Sequence, residues 1–345
     1  MNNTNVVGPG RAQLAQGSPV LDVQHLQVRL ETLDGPLFPV RDMSLRVNAN
    51  ETLAILGESG SGKSVTSLAL MGLLPRDTFS VSAESMRLKD EDLGAATEKT
   101  WRSIRGSRIA MVFQDPQSSL NPVYTVGAQI AEMFRLHRGA SRGDARRAAL
   151  EMMDRVRIPD AAAKYDSYPH EFSGGMRQRI VIAIALALDP EVLIADEPTT
   201  ALDVTVQARI LDLFKEIATD SNMGTILITH DIAVAATVAD RISVMYAGRL
   251  VEEGPTRQVL EQPAHPYTQG LLDAVPNASN ERTALIPIKG SPPNLSHIPS
   301  GCAFHTRCPI ARDECALGVP ELLRVAPERD SACFFAEEVM TNAAH

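Results

Sequence analysis

Gly57-Glu58-Ser59-Gly60-Ser61-Gly62-Lys63-Ser64 fits the pattern G-x-x-x-x-G-K-[ST] and stands between an apolar run at residues 53–56 and a helix-like stretch at 65–74. Glycines at this spacing permit a tight loop whose backbone N–H groups converge on phosphate oxygens, and the positive end of the following helix adds to the attraction. In such a loop Lys63 reaches the β- and γ-phosphates of a nucleotide and Ser64 ligates Mg²⁺. A second candidate is Val192-Leu193-Ile194-Ala195-Asp196-Glu197, an apolar run without alternation that ends in two carboxylates. That texture suits a strand buried on both faces of a parallel sheet. Asp196 at its carboxyl end would help hold the Mg²⁺ shell, and Glu197 is the candidate for polarising an attacking water. Each feature has an ordinary counterpart, a Gly/Ser-rich turn or an acidic strand exit; their pairing in one chain favours phosphoryl chemistry.

Between the two lies Phe172-Ser173-Gly174-Gly175-Met176-Arg177-Gln178-Arg179, followed by an apolar helical stretch at 180–188. A serine hydroxyl, glycine amides and a helix N-terminus make another anion site. Gln114 closes an apolar strand-like run at 109–113, Ala201-Leu202-Asp203 follows the paired carboxylates, and His230 follows the run at 225–229. In this order the features resemble the ATP-binding-cassette (ABC) ATPases, over roughly residues 21–255. Phe172 and Met176 depart from the commonest leucine and glutamine of that family's signature loop, but the serine and both glycines remain. The resemblance implies an α/β fold, a P-loop NTPase of ABC type with an antiparallel β subdomain and an α-helical subdomain at about 115–190. It implies ATP and Mg²⁺ as ligands. Gln114 becomes the glutamine that senses Mg²⁺ and water while its loop touches a membrane subunit, Asp203 the residue of dimer communication, and His230 the switch at the γ-phosphate. Ser173, Gly174 and Gly175 would act on the ATP held by the opposite subunit, so a chain with one cassette works as half of a dimer. Adenine is expected to stack on an aromatic, and Phe38, the one aromatic between residues 20 and 56, fits that place loosely.

After Gly254 the texture changes, with eleven of the chain's 22 prolines, which forbids long helices and predicts an irregular extension at 256–345. His265-Pro266-Tyr267-Thr268, then Gly270-Leu271-Leu272, resembles the C-terminal extension on ATPases of oligopeptide, dipeptide and nickel importers. All four cysteines, Cys302, Cys308, Cys315 and Cys333, fall here. A reducing cytosol disfavours disulfides, and the spacing matches neither common zinc pairs nor the ferredoxin run, so spacing names no metal. The text around Cys302 and Cys308 is similar to a cysteine motif that in some such importers holds a [4Fe–4S] cluster. A cluster, zinc and free thiols stay open, with His305 and His297 as further potential ligands.

The elements that must position these groups follow from pattern and composition. Alternation at 21–28 and a turn at Asp34-Gly35-Pro36 predict short strands before the phosphate loop, and apolar text around Ala247-Gly248 predicts two strands that close the core. A chain of 345 residues can bury a substantial core, and its longest apolar run, 180–188, falls far short of the ~20 residues of a membrane helix. Residues 1–20 are polar, without basic start or apolar centre, which predicts a disordered tail at 1–19 on a cytoplasmic protein rather than a secretory signal. A net charge of −9 argues against nucleic acid as a partner, and so against a soluble cassette that remodels a ribosome or DNA complex. The expectation is an ATPase on the cytoplasmic face of the membrane that drives peptide import, with nickel or another small solute as the alternative cargo. Its expected partners are a second ABC ATPase, a heterodimer being favoured over a homodimer, two permeases and an extracytoplasmic solute-binding protein.

Overall fold

The computed structural model describes residues 19–199, 203–220, 222–274 and 287–343; the readings for 1–18 and for Ala201 and Leu202 lie outside these. From the N-terminus, β1 (Leu21–Leu30), β2 (Leu37–Val47) and β3 (Thr52–Leu56) lead into α1 (Lys63–Leu70). There follow β4 (Phe79–Ser82), β5 (Ser85–Leu88), β6 (Glu91–Asp92), α2 (Glu98–Ile104) and β7 (Ile109–Val112). Helices α3 (Pro116–Ser119), α4 (Val126–Arg138), α5 (Arg142–Arg155), α6 (Ala161–Lys164) and α7 (Gly174–Leu186) come next. Then β8 (Val192–Asp196), α8 (Val204–Asp220), β9 (Gly224–Thr229), α9 (Ile232–Val238), β10 (Arg241–Tyr246) and β11 (Arg249–Pro255) complete the expected core. Beyond it lie α10 (Thr256–Glu261), α11 (Pro266–Asp273), α12 (Asp313–Leu317), β12 (Leu323–Ala326), β13 (Arg329–Ser331) and α13 (Ala336–Ala343).

Two sheets carry the molecule. In one, β1 pairs antiparallel with β2, β4 and β5, and β6 extends it beside β5. The other has the order β12-β13-β11-β10-β3-β9-β8-β7, of which β10, β3, β9, β8 and β7 run parallel. Every residue of β3, β7, β8 and β9 is buried, which suits their largely apolar, non-alternating texture and strands covered on both faces. One apolar cluster joins the antiparallel sheet to α1 and the parallel strands, through Leu26, Met43, Leu70, Ile55 and Ile228. A second packs α4, α5 and α7 together, through Ile130, Phe134, Met153 and Ile182. Local caps set these helices: Thr125, Ser141 and Ser173 accept from backbone N–H groups three residues on, and Gly139 ends α4 in a left-handed turn at φ 62°.

Among the described residues the extension holds no helix longer than eight residues, as its prolines lead one to expect. Its hairpin was not foreseen: β13 pairs with β11 and so continues the main sheet. Where these meet, Glu252 is fully buried and accepts from the Arg329 guanidinium at 2.8 Å and from the N–H groups of Ala264 at 2.9 Å and His265 at 3.0 Å.

Candidate functional site

The phosphate loop joins β3 to α1 at the carboxyl ends of the parallel strands, the edge where open α/β sheets bind ligands. Close approach explains two of its glycines. A Cβ on Gly57 would lie 2.3 Å from the Met245 carbonyl oxygen, and one on Gly62 would lie 2.3 Å from that of Pro39, with Gly62 also at φ 109°. Lys63 is 6% exposed, and its Nζ donates to the carbonyls of Gly57 at 2.7 Å and Glu58 at 3.0 Å, so the ammonium sits inside the curl of the loop. Burial lowers its pKa, against the pull of Glu197, Asp196 and Glu58. Ser61 Oγ is buried without a hydrogen-bond partner among the described residues. A donor of that kind beside a buried ammonium suits an anion of several oxygens, which is what a nucleotide triphosphate brings.

Asp196, the last residue of β8, is reached by Ser64 Oγ at 3.4 Å and Ser67 Oγ at 3.3 Å. Burial raises its pKa, while the two hydroxyls hold it down. A carboxylate and a hydroxyl oxygen at one point are the hard donors that suit Mg²⁺. Glu197 follows in the left-handed region, φ 46°, its N–H donating to the Ile228 carbonyl at 2.8 Å. This turn ends the strand at Asp196, one residue before the end of the apolar-acidic run. It directs Glu197 to two further residues: Gln114 Nε2 donates to Oε2 at 2.8 Å, and His230 Nδ1 lies 3.0 Å from Oε1. Glu197 is 17% exposed and His230 59%, so the carboxylate is held from behind while the histidine faces outward. Gln114, Glu197 and His230 thus meet from β7, β8 and β9, beside the loop after β3.

The other expected residues stand apart. Ser173 Oγ accepts from the Met176 N–H at 3.4 Å as cap of α7, and Gly175 packs where a Cβ would meet Val206 Cγ1 at 2.5 Å. Among the described residues no hydrogen bond or ion pair joins 173–175 to the phosphate loop. Asp203 is exposed and caps α8, its Oδ1 accepting from the Val206 N–H at 2.9 Å.

The four cysteines converge more than their spacing implies. Cys302, Cys308, Cys315 and Cys333 line one small cavity with His305 and Phe304. Burial pushes the thiols of Cys302 and Cys308 up and that of Cys333 up to about 12. Yet no group of three or more His, Cys, Asp or Glu is set to hold a metal ion among the described residues. The suspected [4Fe–4S] cluster, or zinc, is therefore not supported among the described residues: the four cysteines share the walls of one cavity without forming a metal-holding group. His297 instead pairs with Ser296 Oγ, and His305 Nδ1 with the Cys302 carbonyl.

Sequence reading missed the contacts between extension and loop. The Glu58 N–H donates to Tyr267 Oη at 2.8 Å, and Arg307 binds the Glu58 carboxylate through Nη1 at 2.7 Å and Nη2 at 3.1 Å. Tyr267 lay within a noted tetrapeptide, but Arg307 carried no signal beyond its place between two cysteines.

Comparison with known proteins gives three kinds of match. The family described as ABC transporter matches residues 40–200, and that described as oligopeptide/dipeptide transporter, C-terminal region, matches 251–315. A putative peptide import ATP-binding protein of Brucella melitensis is 48% identical over 334 residues, covering 93% of this chain and 98% of that one. The dipeptide transport ATP-binding protein DppD of Bacillus subtilis is 51% identical over 290 residues, 84% of this chain and 87% of that one. Among solved structures, a dimeric ATP-binding cassette in a post-hydrolysis state, bound to ADP and Pi, aligns with a TM-score of 0.61 at 25% identity, covering 69% of this chain and 99% of that one.

Proposed function

Since the chain belongs to the ABC transporter ATPases that carry the oligopeptide/dipeptide C-terminal region, we propose that it hydrolyses ATP to drive import of di- or oligopeptides through a membrane complex. The observation that carries the reading is the meeting of a buried Lys63, the Ser64–Asp196 pair and the Gln114–Glu197–His230 cluster at one edge of the parallel sheet. Phosphoryl transfer asks for positioning and charge neutralisation more than covalent chemistry. Lys63 and the amides of residues 57–64 take up phosphate charge, and Glu197 orients and deprotonates the attacking water while His230 and Gln114 hold its carboxylate. Ser64 and Asp196, with Gln114, would hold Mg²⁺, which neutralises the phosphate oxygens when bound.

Ser173 caps α7, Gly174 and Gly175 open it, and all three are to serve the ATP of a second cassette, with Asp203 at the junction; two different ATPases fit the likeness to peptide importers better than two copies of one. Among the described residues no helix is long and apolar enough to cross a membrane. Permeases therefore supply the path, and the chain docks on their cytoplasmic face. Phe113, Val123 and Tyr124, exposed on either side of α3, support a docking surface next to Gln114. An extracytoplasmic binding protein selects the cargo. A metal at the cysteines is supported by the donor set, four soft thiols on one cavity, and opposed by the lack of a metal-holding group among the described residues; iron, sulfide and zinc analysis of anaerobically purified chain decides it.

The test of the main reading is gentle extraction of the complex, identification of its chains, and reconstitution in vesicles. Peptide accumulation coupled to ATP turnover is the expected outcome. Accumulation of nickel without peptide would move the cargo to the alternative, and ribosomal or DNA-processing partners would overturn transport altogether.

A further inference from the structure

Arg307 reaches the phosphate loop from a segment 249 residues away, and what it meets there is Glu58, the second residue of the loop. Its side chain is only 4% exposed, and both terminal nitrogens bind the Glu58 carboxylate in a fork, at 2.7 and 3.1 Å. The guanidinium is itself held: Nε donates to the Lys289 carbonyl at 3.0 Å, and Nη1 lies 3.3 Å from Tyr246 Oη. Tyr267 fixes the backbone of the same residue by accepting the Glu58 N–H at 2.8 Å, while its ring packs 4.6 Å from that of Tyr246 and 5.4 Å from Phe304. Both handles of Glu58, amide and carboxylate, are thus occupied by the extension. The Glu58 carbonyl accepts from Lys63 Nζ at 3.0 Å.

We infer that Arg307 and Tyr267 are positioning residues that hold the phosphate loop in its nucleotide-binding shape, so that the C-terminal extension sets the affinity of the site for ATP. A loop whose amides must all point inward loses affinity when one of its peptides is free to turn, because binding then has to order it. The bidentate fork suits the purpose, since it fixes orientation as well as distance. Glu58 would otherwise set a negative charge beside the phosphates, and its pairing with Arg307 neutralises that charge. The inference rests on residues 57–64 being the ATP phosphate site.

Equilibrium binding of MgATP to the full chain tests it, with apo melting temperature as the check on folding. Arg307→Ala and Glu58→Gln should each raise Kd about tenfold, and Arg307→Lys, which keeps charge without the fork, should fall between wild type and Arg307→Ala. The double variant should be no worse than either single one, because both remove the same contact. The exchange Glu58→Arg with Arg307→Glu should recover part of the loss. Unchanged Kd in Glu58→Gln, or additive losses in the double variant, would overturn the coupling while leaving the ATP site standing. Wild-type chain that binds no MgATP would overturn both. If Arg307→Ala does not fold, Glu58→Gln and Tyr267→Phe carry the test.

Discussion

His265 gives the chain a built-in sensitivity to acid, and the size of the effect can be worked from its surroundings. The ring is 1% exposed, lies 5.8 Å from that of Phe304, and accepts the Tyr267 N–H at its Nδ1, 3.0 Å away, as cap of α11. An acceptor Nδ1 requires the neutral ring with its proton on Nε2. Burial lowers the pKa from 6.5 to about 3. The unfolded chain therefore takes a proton near pH 6.5 that the folded chain refuses until about pH 3, and stability falls as pH drops through that window. Between pH 7 and 5 this single group should cost about 2 kcal/mol, with close to one proton taken up on unfolding at pH 5. His265→Asn isolates the term, since Asn Oδ1 can cap the helix as Nδ1 does but carries no titration. Denaturant unfolding at pH 7, 6 and 5 should show the variant losing about 2 kcal/mol less than wild type across that range. Groups away from residue 265, Asp196 among them, are common to both proteins and cancel. Parallel pH dependences would refute the reasoning, for they would mean that the histidine is solvated or finds a partner when charged.

Glu197→Gln should leave MgATP affinity within about threefold while steady-state turnover falls about 10²–10⁴-fold, the usual share of a general base; phosphate release by the reconstituted complex measures it, and turnover within tenfold of wild type removes Glu197 from that role. Arg329→Ala should destabilise the chain by about 3–5 kcal/mol in a denaturant titration, because it strands the buried Glu252 carboxylate, and pairing it with Glu252→Gln should recover much of the loss. Thiol titration of the apo chain should be slow at Cys333, whose half-buried sulfur has its pKa pushed up and accepts the Phe335 N–H at 3.4 Å; rapid modification of that cysteine in the folded chain would show a thiol open to solvent and easily ionised.

What was legible in the sequence is what is written locally. The phosphate loop, the acid-terminated strand and the capped helices each depend on residues within a few positions of one another, so local pattern was enough to single out Lys63, Asp196 and Glu197 as candidates, while Ser173 needed the family resemblance as well. Gln114 and His230 needed more. Each is an ordinary polar residue after a strand, and only the parallel pairing of β7, β8 and β9 brings them to Glu197. The left-handed turn at Glu197 left no trace, since glutamate is not a residue that advertises φ 46°. Nor could β13 be read: Arg329-Asp330-Ser331 is a polar triplet, and it becomes a strand because β11 offers an unpaired edge. The cysteines were legible as a group but not as a geometry, because the distance between sulfurs depends on a fold that spacing alone leaves open.

The boundary drawn after Pro255 marks a change of texture, yet the packing crosses it. Glu252 lies in β11, on the core side, but its donors are Ala264, His265 and Arg329, all from the extension. Glu58 lies in the phosphate loop, and its partners are Tyr267 and Arg307. Two carboxylates of the cassette thus complete their hydrogen bonding only when the extension is present. One of them is fully buried and cannot turn to water instead. Cutting the chain at 255 would leave a buried charge without its guanidinium and bare the edge of β11 that β13 covers. The extension accordingly packs as part of the core, and its loop at 302–308 touches the loop at 57–64 through Arg307, which binds Glu58.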